Sequence, residues 1–105
     1  MKLEGNCKLL KIYINEDSRY KGHALYHAVV LKLKDMDMAG ATVSRGIEGY
    51  GQRKRIHSAK ILDLSLSLPV IIEVIDCKEK IIKAAEALKD MLNEGLMFVA
   101  DVNVI

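Results

Sequence analysis

The fold of this chain is indicated most clearly by a short apolar segment that follows its single proline, Pro69, and reads Val70-Ile71-Ile72-Glu73-Val74-Ile75. The segment is rich in β-branched residues and is apolar at both alternating sets of positions. That pattern is typical of a strand inside a sheet, because a strand with one face on water alternates between apolar and polar residues. We therefore expect residues 70–75 to form a central strand.

Three elements precede this strand. Residues 8–15 alternate between apolar and polar side chains and predict a strand with one face in the core. The apolar positions of residues 23–37 recur at helical spacing, and Gly40 is expected to stop this first helix. Residues 41–47, rich in Thr and Val, predict a second strand.

Two elements follow it. Asp76, with Glu79 three residues later, matches a capping box and predicts the start of a second helix. Gly95 stands where a glycine cap would end that helix, and residues 96–105 predict a last strand. Two strand–helix–strand units in sequence predict an α+β, ferredoxin-like fold, with an antiparallel four-stranded sheet and both helices on one face.

This order fits a single domain over residues 1–105, with an N-terminal extension at residues 1–7 and a long connection at about residues 46–68. A chain of this size has no further element to cover the second face of the sheet. The apolar character of residues 70–75 on both faces therefore predicts that copies of the chain associate as trimers or dimers.

Composition excludes several classes of protein. The chain carries a net charge of +2, which is too mild to mark a nucleic-acid-binding protein by bulk charge. Its two cysteines, Cys7 and Cys77, belong to no metal-binding motif, and the N-terminus lacks the apolar core of a signal peptide. No Ser/His/Asp set or paired carboxylates mark a catalytic centre. We expect a non-enzymatic, metal-free protein of the cytoplasm.

A glycine-rich and basic segment is the candidate binding site. Glycines allow close approach of the backbone to a ligand and positive φ angles, while Arg and Lys supply donors to phosphate. The candidate residues are Arg45, Gly46, Glu48, Gly49, Tyr50, Gly51, Gln52, Arg53, Lys54, Arg55 and His57. From the residues alone, a surface loop with solvated basic side chains is an equally good interpretation.

The same segment resembles a known family. The run Gly49-Tyr50-Gly51-Gln52-Arg53-Lys54, preceded by Ala41-Thr42-Val43, is similar to the base of the T-loop in PII signalling proteins. The run Leu68-Pro69-Val70-Ile71-Ile72-Glu73-Val74 is similar to the PII strand that closes that loop. From about Lys8 to Ile105 the chain resembles the small PII-like family named domain of unknown function 190.

The resemblance implies a homotrimer that binds an adenine nucleotide (AMP, ADP or ATP) as a ligand at clefts between subunits, with no obligatory cofactor. Ordering of residues 46–68 by the ligand would change the surface shown to a partner, and a membrane transporter is the partner that the resemblance implies. Val70 replaces the PII lysine that helps to bind 2-oxoglutarate, so we expect that effector not to bind. The loop from Ile56 to Leu68 holds no tyrosine, so the PII uridylylation site is missing. The PII B-loop and C-terminal arginines have no counterpart either. We therefore expect weaker coordination of a triphosphate than in PII, which makes a monophosphate or a dinucleotide a serious candidate.

Two other functions remain as alternatives. A nucleic-acid-binding module is the first, since ferredoxin-like sheets can bind RNA through aromatic residues on the open face. Tyr13 is the only tyrosine in a predicted sheet strand and the chain has a single Phe and no Trp, which disfavours this use. A purely structural oligomeric module is the second.

Overall fold

The structure is a computed structural model that describes residues 2–50, 57–58 and 67–105. In chain order its elements are β1 (Gly5–Asn15), β2 (Arg19–Tyr20), β3 (His23–Ala24), α1 (Leu25–Asp35), β4 (Thr42–Arg45), β5 (Glu48–Gly49), β6 (His57–Ser58), β7 (Pro69–Asp76), α2 (Lys78–Lys89) and β8 (Leu96–Val104). In the part of the chain so described, no helix is long and apolar enough to cross a membrane.

The main sheet has four strands in the order β4-β7-β1-β8, and every neighbouring pair is antiparallel. Strand β7 lies between β4 and β1, so the expectation that residues 70–75 form a central strand is confirmed. The strand order, with two helices connecting the strands, confirms the ferredoxin-like α+β fold. Strand β1 begins at Gly5, three residues before the predicted start.

One face of the sheet carries the core. Alternate residues of the two central strands, Leu10 and Ile12 in β1 and Ile72 and Val74 in β7, are at most 1% exposed. They pack in one cluster with buried residues of both helices, among them Leu33. Burying a side chain of this size stabilises the fold by about 1.5–3 kcal/mol, so these positions hold the sheet and the helices together.

Helix α1 ends before the predicted stop at Gly40. Asp37 adopts a left-handed backbone with φ of 58°, and its N–H donates to the carbonyl of Lys34. The N–H of Met38 donates to the carbonyl of Leu33, which completes a Schellman motif. The prediction for Gly40 was wrong because Asp37 tolerates the left-handed conformation and supplies the cap itself.

The predicted capping box at the start of α2 was also wrong. The N-cap is Cys77, and its side chain makes no capping hydrogen bond. The buried carboxylate of Asp76 instead accepts hydrogen bonds from the backbone N–H groups of Ala39 (2.8 Å) and Cys77 (2.7 Å). Asp76 therefore ties the segment before β4 to the junction of β7 and α2.

Gly95 also does not have the helix-capping function that the sequence predicted. Helix α2 ends at Lys89, so Gly95 lies beyond the helix, immediately before β8. It has a φ of 106°, and a Cβ at this position would overlap the carbonyl oxygen of Tyr13. Glycine at position 95 thus allows the chain to approach β1 closely, and it does not cap α2.

Candidate functional site

The candidate segment leaves the sheet at β4 and returns at β7, and hydrogen bonds fix both of its stems. The N–H of Gly46 donates to the carbonyl oxygen of Pro69 at 2.7 Å. The N–H of Glu16 donates to the carbonyl oxygen of Leu68 at 2.9 Å. These bonds hold the two ends of residues 46–68 at the same end of the sheet.

Two of the predicted site glycines pack against Pro69. A Cβ at Gly46 would lie 2.7 Å from the Pro69 Cγ, and a Cβ at Gly49 would lie 3.2 Å from it. Neither glycine has the positive φ that we expected. The N–H of Gly46 is already used by Pro69, so it is not available to an anion. At Gly46 the structure therefore gives a packing reason for glycine.

A short ribbon brings three predicted site residues together. Strands β5 and β6 pair with Glu48 opposite Ser58 and Gly49 opposite His57. Tyr50 follows directly and is 69% exposed. The remaining predicted residues, Gly51, Gln52, Arg53, Lys54 and Arg55, lie outside the described residues. The prediction that residues 46–57 act as one site therefore rests on the sequence for its most basic part.

Arg45, the last residue of β4, forms an ion pair with Glu16, which follows β1. The Arg45 side chain is more exposed than that of Glu16. A groove of about 270 Å³ opens beside this pair and is lined by Glu16, Tyr26, Val43, Ser44, Arg45 and Val70. The pair places one guanidinium at the entrance to the candidate segment.

A second polar contact holds the return of the segment and was not predicted from the sequence. The hydroxyl of Ser67, a buried residue, donates to the Asp17 carboxylate at 2.8 Å. The backbone N–H of Asp17 in turn lies 3.4 Å from the Ser67 Oγ. A serine that alternates with leucines carries no sequence signal for such a contact, because its partner is 50 residues away.

The face of the sheet opposite the helices is the second feature of interest. Its middle row runs from Thr42 in β4 through Glu73 and Lys11 to Phe98 in β8, as the strand registers show. The neighbouring row runs from Ser44 through Ile71 and Tyr13 to Leu96. Tyr13 and Phe98 stack with their ring centroids 6.4 Å apart. Sequence analysis missed Thr42 and Glu73 as site residues, although the alternation along β7 places Glu73 on this face.

Glu73 is half-buried in the middle of this face. Within the described part of the chain, its carboxylate makes no hydrogen bond or ion pair. Its neighbour Lys11 places its ammonium 5.6 Å from the Tyr13 ring centroid. Glu73 and Lys11 are thus cross-strand neighbours on this face, with the Lys11 ammonium over the Tyr13 ring.

Comparison with known proteins identifies relatives over almost the whole chain. The family model DUF190, described as uncharacterized ACR, matches residues 7–104. A UPF0166 protein of Aquifex aeolicus is 42% identical over 98 residues, covering 93% of this chain and 92% of that protein. A UPF0166 protein of Methanocaldococcus jannaschii is 39% identical over 99 residues, with 93% and 91% covered.

Solved structures with the same fold are PII-like. The protein CPII from Thiomonas intermedia K12, a nitrogen regulatory PII-like protein solved with ADP, AMP and bicarbonate, aligns with a TM-score of 0.72 at 16% identity. That alignment covers 94% of this chain and 88% of CPII. A putative PII-like signaling protein from Thermus thermophilus aligns with a TM-score of 0.69 at 18% identity, covering 96% and 91%. At these identities the likeness establishes the fold.

Proposed function

The chain belongs to the DUF190 family, and we propose that it is the subunit of a homotrimeric, PII-like regulatory protein that binds an adenine nucleotide between subunits. One observation carries the proposal: the sheet face opposite the helices presents large apolar side chains that no described residue covers. Three large side chains on this face are substantially exposed, namely Ile75 (38%), Leu96 (60%) and Phe98 (38%). Ile75 lies in β7, and Leu96 and Phe98 lie in β8, so the exposed apolar side chains flank β1 on both sides.

In the proposed trimer, the second and third copies of the chain cover this face. Covering apolar surface stabilises an assembly by about 25 cal/mol per Å². Lys11 and Glu73 lie in the middle of the face and need polar partners once water is excluded. Such partners fix how the copies are oriented, so a charged pair within an apolar surface favours a defined assembly over non-specific aggregation.

In this proposal, the candidate segment provides the nucleotide-binding site. Strand β4 is an edge strand, so the chain that leaves it at Arg45 lies at the boundary of the subunit, where a neighbour can complete a cleft. Residues 52–55 add Gln, Arg, Lys and Arg, which are donors suited to phosphate. The ADP and AMP in CPII support an adenine nucleotide as the ligand of the shared fold.

The proposed function is signalling rather than catalysis. Nucleotide binding orders residues 46–68 and changes the surface shown to a partner in the cytoplasm, for which the family resemblance suggests a membrane transporter. The stems of the segment are fixed at Pro69 and Leu68, so a change within it leaves the sheet intact. The ligand-dependent change is thereby confined to the surface that faces the partner.

Nucleic-acid binding is the second candidate, because the structure places Tyr13 and Phe98 together on the open face. Stacked aromatics beside Lys11 resemble a platform for single-stranded RNA bases. Glu73 and the mild net charge oppose this use. Binding of RNA and trimerisation through this face exclude each other, so one set of measurements distinguishes them.

The test is the mass in solution, followed by ligand screening. Light scattering on the purified protein is expected to give the mass of three chains, and Ile71→Glu, on the open face, is expected to give one. The matched control Ile82→Glu, on an exposed side of α2, keeps three chains. AMP, ADP or ATP raises the melting temperature, whereas GMP, 2-oxoglutarate and single-stranded RNA do not. A monomer at every concentration that binds RNA would overturn the proposal.

A further inference from the structure

The two cysteines lie 70 positions apart in sequence but at the same end of the sheet. Strands β1 and β7 pair from Lys8 opposite Asp76 to Asn15 opposite Pro69. Continuing this register by one residue brings Cys7 opposite Cys77. Both backbones are extended here, since Cys7 pairs with Val102 within the sheet and Cys77 has φ of −66° and ψ of 157°. Both thiols are free.

The hydrogen-bond pattern shows which kind of cross-strand position the cysteines occupy. The N–H of Glu16 donates to Leu68, which marks this pair as a hydrogen-bonded position of the β1–β7 ladder. Hydrogen-bonded and non-hydrogen-bonded positions alternate in an antiparallel pair, so Cys7 and Cys77 face each other at a non-hydrogen-bonded position. Pro69, which has no N–H to donate, also occupies such a position, opposite Asn15.

This position meets the backbone requirement for a disulfide. At non-hydrogen-bonded positions the Cα atoms are about 4.5 Å apart and the two side chains lie on the same face of the sheet. Disulfides span Cα separations of about 4.4–6.8 Å. The continued register therefore brings Cys7 and Cys77 within disulfide range without requiring a rearrangement of β1 or β7.

We propose that Cys7 and Cys77 form a cross-strand disulfide when the protein meets a small-molecule disulfide oxidant such as glutathione disulfide. Cys77 is half-buried whereas Cys7 is only 6% exposed, so the oxidant reaches Cys77 first. The Cys77 thiolate attacks one sulfur of the oxidant, whose S–S bond breaks and releases one thiolate. The Cys7 thiolate then attacks the Cys77 sulfur and releases the second. The pair loses two electrons and two protons, and the oxidant is reduced to two thiols.

The disulfide would join the start of β1 to the junction of β7 and α2. Asp76, next to Cys77, also holds the N–H of Ala39, so the same junction anchors the segment that enters β4. The crosslink restricts the unfolded chain, and oxidation therefore stabilises the fold. In a reducing compartment the two thiols are regenerated and the restraint is removed.

Peptide mapping of the wild-type protein tests this proposal. The reduced protein is incubated with glutathione disulfide, free thiols are blocked with iodoacetamide, and trypsin releases peptides 3–8 and 61–78, which contain Cys7 and Cys77. We expect one linked species joining these two peptides and an intact mass lower by two hydrogen atoms. Cross-linked chains on a non-reducing gel, or glutathione adducts without the linked species, would overturn the proposal.

Variants that lack one cysteine test the order of the two thiol–disulfide exchange steps. Cys7→Ser is expected to retain glutathione on Cys77, because the second thiol that displaces it is absent. Cys77→Ser is expected to react slowly, because Cys7 is buried. Oxidation should raise the urea midpoint of the wild type and leave that of Cys77→Ser unchanged. An equal rise in both proteins would show that the stabilisation does not come from this disulfide.

Discussion

Gly46 lies directly against Pro69: its N–H donates to the Pro69 carbonyl oxygen at 2.7 Å, and a Cβ at position 46 would come 2.7 Å from the proline Cγ. The hydrogen bond and the close packing act at the same place, where β4 meets the start of β7. The candidate segment therefore begins from a stem with little room for a side chain.

Gly46→Ala is expected to destabilise the protein by about 1–3 kcal/mol, because the added methyl must displace the Pro69 ring or the stem. Urea unfolding measures the change. Gly40→Ala is the matched control, since a Cβ there meets no atom within 4 Å. Equal stability of the two variants would show that the stem adapts freely, and would remove the packing reason for glycine at position 46.

Gly95→Ala is expected to be more destabilising than Gly22→Ala. Both glycines have positive φ, 106° at Gly95 and 84° at Gly22, so both variants carry backbone strain of about 1–3 kcal/mol. Only at Gly95 would the new Cβ overlap the Tyr13 carbonyl oxygen, whereas at Gly22 it meets nothing. Thermal unfolding of the two variants isolates the steric part. If Gly22→Ala is as unstable as Gly95→Ala, the close approach to β1 contributes nothing.

Asp76→Asn is expected to lower the free energy of unfolding by about 1–3 kcal/mol at pH 7. Burial alone raises the pKa of Asp76, but the N–H groups of Ala39 and Cys77 and the charge of Lys80 together hold that pKa below its ordinary value of 3.8. A carboxyl with a lowered pKa in the folded state stabilises the fold above its unfolded pKa, and this contribution is lost as the pH falls through the folded value.

The unfolding free energies of wild type and Asp76→Asn should therefore differ most at pH 5–7 and converge as the pH falls from 3.8 through the lower pKa of the folded state. Urea unfolding at several pH values measures this. Asp101→Asn is the control: Asp101 pairs with Lys8, but its side chain is 83% exposed, so solvent screens the pair and its loss is expected to change the stability little. If the loss of unfolding free energy in Asp76→Asn does not change with pH, the negative charge of Asp76 does not strengthen its hydrogen bonds.

The sequence predicted the parts of the fold that depend on local pattern. The two-faced apolar run at Val70–Ile75 gave the central strand, and the alternation of residues 8–15 gave its neighbour. The errors at Asp76 and Gly95 arose because each residue contacts a residue distant in sequence, Ala39 and Tyr13 respectively. The error at Gly40 arose because the left-handed conformation that ends the helix is adopted by Asp37, which is not a glycine.

The candidate site was predicted less completely for the same reason. Its glycines and basic residues form a continuous run and are visible in the sequence. Glu73 and Thr42 are far apart along the chain and become neighbours only through the β4–β7 register. The contact of Ser67 with Asp17 also depends on the folded chain. Sequence periodicity could place Glu73 on the outer face, but not beside Thr42.

The central claim is that the segment following β4 binds an adenine nucleotide through its phosphates, and calorimetric titration with ADP tests it most directly. The double variant Arg53→Ala/Lys54→Ala is compared with Lys83→Ala/Lys89→Ala, which removes equal charge from exposed positions of α2. Each charge-assisted contact contributes about 1.5–3 kcal/mol, so the first variant is expected to bind at least about tenfold more weakly. The second is expected to match the wild type. Equal losses of affinity in both variants, or no binding by the wild type, would contradict the account.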